Sequence, residues 1–170
     1  SYRFLSEDLP SKQLRLKVEI NSREHFAVYG FKRFPFTVRS RWFDGSTEIT
    51  SFLLDELLAT KLRALYQRRK GRDLFDLSSA LESLEVDPGQ VVAAFSRYME
   101  HSGNVVTRAQ LERNIETKLR NHQFKADLDP LLAIGTFWDI DEAAERVLSR
   151  LVALLPDDRR GRRGAAATDD

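Results

Sequence analysis

Apolar and polar positions change period once along this chain. Leu14, Leu16, Val18 and Ile20 alternate with Arg15, Lys17, Glu19 and Asn21, which predicts a half-buried strand with Glu19 on its polar face. Two more β-rich runs follow, Phe36 to Phe43 and Thr47 to Phe52, and Asp44-Gly45-Ser46 between them is a hairpin signal. After Phe52 the period becomes helical. Leu53 to about Arg69 predicts a strong amphipathic helix stopped at Gly71, and Arg72 to about Leu84 a second. Asp87-Pro88-Gly89 opens a third helix that runs to about His101, and Thr107 with Gln110 reads as a capping box for a fourth, to about Asn121. A last amphipathic stretch runs from Asp141 to Leu155. Strands first and helices afterwards predict an α+β fold, not a doubly wound sheet. The expected organisation is a β-rich part over residues 1–52, a helical domain over 53–155 and a disordered tail over 156–170, which has almost no apolar content.

Composition removes several chemistries. The 170 residues include no cysteine, which excludes disulfides, cysteine-ligated zinc, iron–sulfur clusters and thiol nucleophiles. This composition suits a reducing compartment, so a cytoplasmic location is expected. The longest apolar runs, such as Leu151 to Leu155, fall far short of the roughly 20 residues of a membrane span. The net charge of +1 hides an asymmetry: Lys12 to Arg72 carries 14 Lys/Arg against 6 Asp/Glu, whereas Asp73 onward carries 12 against 18. A basic front half is a footprint for polyphosphate or an RNA backbone, and equally the ordinary solvated surface of an arginine-rich protein.

Two helices break their own pattern. On the first, Leu54, Leu57, Leu58, Leu62 and Leu65 form an apolar stripe, with Glu56, Arg63 and Gln67 turned away from it. Lys61 and Arg68 fall inside the stripe, where a cation is costly unless it snorkels or pairs. On the second helix, Asp73 and Asp76 border the seam of Leu74, Leu77 and Leu81. If Gly71 lets the helices fold back on each other, cations and acids meet across the seam. Two readings stand at this point. Asp73 at a helix start is favoured by capping and the macrodipole, and Lys61 with Asp76 reads as a structural ion pair or as a functional one.

The run from Leu58 to Leu77, LATKLRALYQRRKGRDLFDL, resembles the hallmark segment of the AbiEii/AbiGii toxin family of nucleotidyltransferases. Leu16 to Glu24 is similar to the strand preceding it there, and Glu48 to Leu58 and the helices through Leu155 fit that family's C-terminal half. The resemblance implies the remainder of a polymerase-β-like core followed by a helical domain. It implies a toxin of a type IV toxin–antitoxin or abortive-infection system that uses a nucleoside triphosphate and Mg²⁺ to add nucleotides to RNA, notably tRNA, with a cognate antitoxin as a further partner. It assigns Lys61 to the triphosphate and Asp76 to the acid paired with it, as the catalytic pair. Arg68, Arg72 and Asp73 go with nucleotide binding, and Glu19 with the metal-binding carboxylates. Such chemistry needs positioning and neutralisation of phosphate charge, which these residue types provide.

The chain also departs from the family pattern. No Gly-Ser turn with an Asp-x-Asp pair precedes Leu14, Asp139-Ile140-Asp141 comes too late and opens a helix, and Asp44-Gly45-Ser46 lacks the acids that should follow. The chain, which begins at Ser1, is therefore expected to be the C-terminal portion of a longer protein and inactive alone. A noncatalytic RNA- or nucleotide-binding module, or a degenerate remnant, is the alternative. Other candidates are weaker. His25, His101 and His122 lack metal-ligand spacing. Arg39 and Arg41 are read as sharing a strand face with Thr37, solvated or tracking RNA, and Arg159 to Arg163 as a nonspecific nucleic-acid contact or simply a soluble end. Phe31, Phe34, Phe36 and Trp42 are expected in the core rather than as base-stacking platforms.

Overall fold

The computed structural model describes residues 1–7, 9–18, 26–133 and 138–157. Within them the chain forms two antiparallel hairpins followed by a helical bundle, an α+β arrangement. Strands β1 (Tyr2–Leu5) and β2 (Gln13–Leu16) pair with Tyr2 opposite Leu16, and β3 (Phe31–Arg39) pairs with β4 (Asp44–Phe52) from Phe31 opposite Phe52 to Arg39 opposite Asp44.

The hairpins differ from the sequence reading in three ways. The alternating run yields only the four residues of β2, and its Leu14 and Leu16 are exposed, as is Val18 beyond it. Alternation records which side is apolar, and nothing among the described residues covers this one. Its continuation, with Glu19, Ile20 and Asn21, lies outside the described residues.

The β3–β4 turn sits at Ser40 to Phe43, upstream of the Asp-Gly signal. There the Ser40 hydroxyl accepts from the backbone N–H groups of Trp42 (3.3 Å) and Phe43 (3.1 Å), and Ser40 N–H donates to the Phe43 carbonyl. A serine-centred turn thus takes the place of an Asp-Gly turn. Gly45 enters β4 instead, where the Phe43 ring lies over it; a Cβ at that position would come within 2.7 Å of Phe43 Cζ. Thirdly, Phe31, Phe34, Phe36 and Trp42 are exposed and belong to no core.

The bundle contains α1 (Leu54–Gln67), α2 (Gly71–Ser83), α3 (Pro88–His101), α4 (Arg108–Leu119), α5 (His122–Lys125) and α6 (Ile140–Arg150), with a 3₁₀ turn at Val152–Leu154. The predicted caps are in place. Asp87 accepts from Gly89 and Gln90 N–H ahead of α3, and Thr107 and Gln110 form both halves of the box at α4. Asp139 accepts from Asp141 and Glu142 N–H, so the late Asp-x-Asp is a helix cap. Leu62, Leu65, Leu74, Leu77, Phe95, Leu111, Ile115 and Val147 are fully buried between these helices. Each such side chain contributes about 1.5–3 kcal/mol on leaving water.

The buried face of α1 is turned from the predicted stripe. Glu56, Leu58, Ala59, Leu62 and Leu65 face inward, whereas Leu57 is 38% exposed. α1 packs against α3 as well as α2, and the small Ala59 lies on the inward face between them. The line through Leu57 and Lys61 becomes the bundle's outer edge, while Leu54 still packs against the core.

Gly71 is the first residue of α2 and fully buried, with no room for a side chain: a Cβ would press into the Phe124 carbonyl oxygen. The short α5, absent from the sequence reading, puts that carbonyl there, with Asn121 Oδ1 accepting from Phe124 N–H at 3.0 Å.

Candidate functional site

Since α1 and α2 run antiparallel, residues early in one face residues late in the other. Two ion-paired rungs follow. Lys61 Nζ donates to Asp76 Oδ2 at 2.6 Å, with side chains 40% and 39% exposed. Nearer the connection, Arg68, the residue that closes α1, forks onto Asp73, Nε to Oδ2 and Nη2 to Oδ1, both at 2.7 Å. Asp73 is fully buried while Arg68 remains half exposed, and the hydrogen bond that Arg68 donates to Asp73 raises its guanidinium above the ordinary range against the cost of burial. The two rungs differ in kind. Arg68–Asp73 ties the hairpin shut from within, and Lys61–Asp76 lies half open on the outer edge.

Arg72 points elsewhere. Its backbone N–H donates to Asp127 Oδ2 at 3.4 Å, its Nε lies 3.9 Å from the same oxygen, and Lys70 Nζ donates to Asp127 Oδ1 at 3.1 Å. Burial works to raise the Asp127 carboxyl, but these hydrogen bonds and charges outweigh it and hold it below the usual range. Of the residues singled out in the sequence, Lys61, Asp76, Arg68 and Asp73 therefore gather along one helix pair and Arg72 belongs to a neighbouring cluster. Glu19 lies outside the described residues.

A scan against family models matches residues 1–146 to the nucleotidyl transferase AbiEii toxin of type IV toxin–antitoxin systems. The chain belongs to the AbiEii family. No curated protein and no solved structure matches it. The AbiEii match runs through both hairpins and most of α6, so the two rungs lie inside it. No helix among the described residues is long and apolar enough to cross a membrane.

The donor set decides how far a divalent metal fits these residues. Among the described residues no three His, Cys, Asp or Glu side chains converge on one point. Asp73 has both oxygens on Arg68, and Asp76 is engaged by Lys61. Asp73 therefore has no oxygen to spare, whereas Asp76 Oδ1 has no partner among the described residues, and Mg²⁺ commonly takes only one or two carboxylates, with water and substrate phosphates completing its shell.

Three residues of this AbiEii chain escaped the sequence reading. Glu56, placed on the outward face by the wheel, is fully buried and accepts from Val28 N–H (2.6 Å), Tyr29 N–H (2.9 Å) and the Tyr98 hydroxyl (2.6 Å). It pins the segment before β3 to α1 and α3. Lys118 of α4 is 5% exposed and donates to the Leu65 and Tyr66 carbonyls, satisfying the last turn of α1. Burial, then the nearby Arg69 charge, lower its ammonium to about 8 despite the attraction of Asp73. Asp127 lies beside the start of α2 from 55 residues away in sequence. Only Glu56 left a signal, as an acid in the first turn of its helix. Of the weaker candidates, Arg41 lies in the turn with its guanidinium 4.0 Å over the Trp42 ring, so it shares no strand face with Arg39 and Thr37. His101 stacks on Phe26 at 4.4 Å.

Proposed function

We propose that this chain acts in nucleotidyl transfer from a nucleoside triphosphate to an RNA acceptor, with tRNA as the preferred acceptor and a cognate antitoxin as its restraint. Residues 1–52 are the end of a polymerase-β-like sheet, and residues 53–155 the helical domain that presents Lys61 and Asp76. The observation that carries this reading is the half-open Lys61–Asp76 pair. A pair this exposed adds little to stability, about 0–1 kcal/mol, so holding the fold is a weak reason for it. An ammonium has three donors, and Asp76 takes one. Two remain for phosphate oxygens, on a side chain whose direction the carboxylate fixes.

In the transfer, the acceptor hydroxyl oxygen bonds to the α-phosphorus as the bond to the pyrophosphate oxygen breaks, and the hydroxyl proton passes to solvent. Charge grows on the pyrophosphate, where the Lys61 ammonium is worth most. Asp76 positions the lysine, and Arg68 and Arg72 add positive field, with Asp73 orienting Arg68. Magnesium, with Glu19 among its ligands, belongs to the same reading through the family, as does a cytoplasmic setting.

Expression of the complete gene should arrest growth, and the protein purified from that gene should incorporate labelled nucleotide into RNA. Lys61→Ala and Asp76→Ala should each abolish both with the helical content unchanged. Full toxicity and incorporation in both variants would sink the assignment.

A further inference from the structure

The outer edge of α1 continues past Lys61 into an open recess against the β3–β4 hairpin. Phe34, Phe36, Ile49, Phe52, Leu54 and Leu57 line a cavity of about 370 Å³. Phe34 and Ile49 are register partners, and Phe36 lies two residues along on the same face. These side chains are 37%, 45% and 48% exposed, an uncommon state for three large apolar groups in one concavity. Leu57 stands one helical turn before Lys61, so the recess and the ammonium share a helix edge, with Cβ atoms roughly 5–6 Å apart. On the hairpin side, Lys32 Nζ lies 5.7 Å from the centre of the Phe34 ring. The aromatic floor thus has one ammonium near its Phe34 ring, and Lys61 stands one helical turn beyond its Leu57 wall.

We propose that this recess holds the base and ribose of the nucleoside triphosphate, with Phe36 and Phe34 as stacking surfaces and the phosphates running along α1 to Lys61. The inference rests on the triphosphate reading of Lys61. The volume lies at the small end of ligand pockets, right for one flat ring system and too small for a partner helix. The two cations complement a ligand that is aromatic at one end and polyanionic at the other. Among the described residues, the Ser51 hydroxyl is the one side-chain hydrogen-bonding group in the lining. Recognition by stacking with a single such group tolerates every base, so the four nucleotides should bind with similar affinity.

Calorimetry on the full chain in magnesium-containing buffer, comparing ATP, CTP, GTP and UTP with inorganic tripolyphosphate, tests this. The nucleotides should bind about tenfold or more tightly than tripolyphosphate. Phe36→Ala should erase that advantage and leave tripolyphosphate affinity unchanged, whereas Lys61→Ala should weaken both ligands. As a check independent of truncation, Phe36→Trp should lose tryptophan emission with nucleotides and not with tripolyphosphate. Equal, Lys61-dependent binding of nucleotides and tripolyphosphate overturns the stacking recess and leaves the triphosphate reading standing. Binding that ignores Lys61, or no binding of either ligand, removes that reading and the recess with it. A Phe36→Trp signal that moves only with a protein partner assigns the recess to protein docking and overturns the proposal.

Discussion

Asp73 and Asp76 stand three residues apart on α2 and hold a cation at the end of α1 and one within it in opposite circumstances: Asp73 is fully buried under a bidentate Arg68, and Asp76 is 39% exposed beneath Lys61. Removing Asp73 leaves the Arg68 guanidinium without its fork and opens a polar hole in the hairpin. Asp73→Ala should cost about 1.5–3 kcal/mol, the range for hydrogen bonds to charged groups. Asp76→Ala should cost less than about 1 kcal/mol. The Lys61→Met and Asp76→Leu double variant should match the parent in stability. Urea denaturation with a shared m-value checks all three; an Asp76→Ala loss as large as that of Asp73→Ala would make the outer rung structural.

Glu56 is the hinge between the β-rich part and the bundle. Its carboxylate accepts three hydrogen bonds, two from the backbone at Val28 and Tyr29 and one from Tyr98. Glu56→Ala strands three donors and should cost on the order of 3 kcal/mol or more, since each buried unsatisfied group costs about 1–3. Tyr98→Phe removes one bond and should cost about 1 kcal/mol. The double-mutant cycle should show coupling between the two sites. Additive losses would mean that the Tyr98 hydroxyl finds another partner.

The pH dependence of stability should carry the mark of Lys118. Its folded-state value is lowered from 10.5 to about 8, so folding favours the neutral amine. Below pH 8 both states carry the proton and the full penalty of the buried charge applies. Between about 8 and 10.5 the unfolded chain binds more protons than the folded one, and stability rises with pH. The gain across the whole window is on the order of 3 kcal/mol. Lys118→Met should flatten that rise while lowering stability, because the Leu65 and Tyr66 carbonyls lose their donor. Thermal unfolding from pH 7.5 to 10 would show it, and an unchanged rise in the variant would assign it to another group.

What the sequence made legible follows the range of the interactions. Local signals translated directly: the Thr107–Gln110 box, the Asp87 cap and the α1–α2 fold-back are set within a few residues, and pairing of Lys61 with Asp76 followed from the fold-back. Signals that depend on distant packing did not. A helical wheel cannot tell on which side a second neighbour lies, so Glu56 was turned outward although α3 buries it. The hydroxyl of Ser40 outcompeted Asp44-Gly45 for the turn because the Phe43 ring covers Gly45 within the strand. Lys118 sits on a helix with little amphipathic pattern, and its role is defined by carbonyls more than 50 residues away.

Gly71 gives the test of that distant packing. In isolation an alanine is worth roughly 1 kcal/mol more than glycine within a helix, so local propensity predicts that Gly71→Ala stabilises α2. The Phe124 carbonyl occupies the space the methyl group needs, with Asp127 Cβ close behind, and backbone there cannot swing aside as a side-chain end would. Relief requires α5 to move off the start of α2. That shift would carry Asp127 away from Lys70 and the Arg72 N–H. Gly71→Ala should therefore destabilise by about 1–3 kcal/mol, the cost of overpacking. Hydrogen exchange should locate the loss in α5 and the first turn of α2, with α3 unaffected. A stabilised variant would show that α5 is held too loosely to resist, and that the glycine serves only the reversal of the chain.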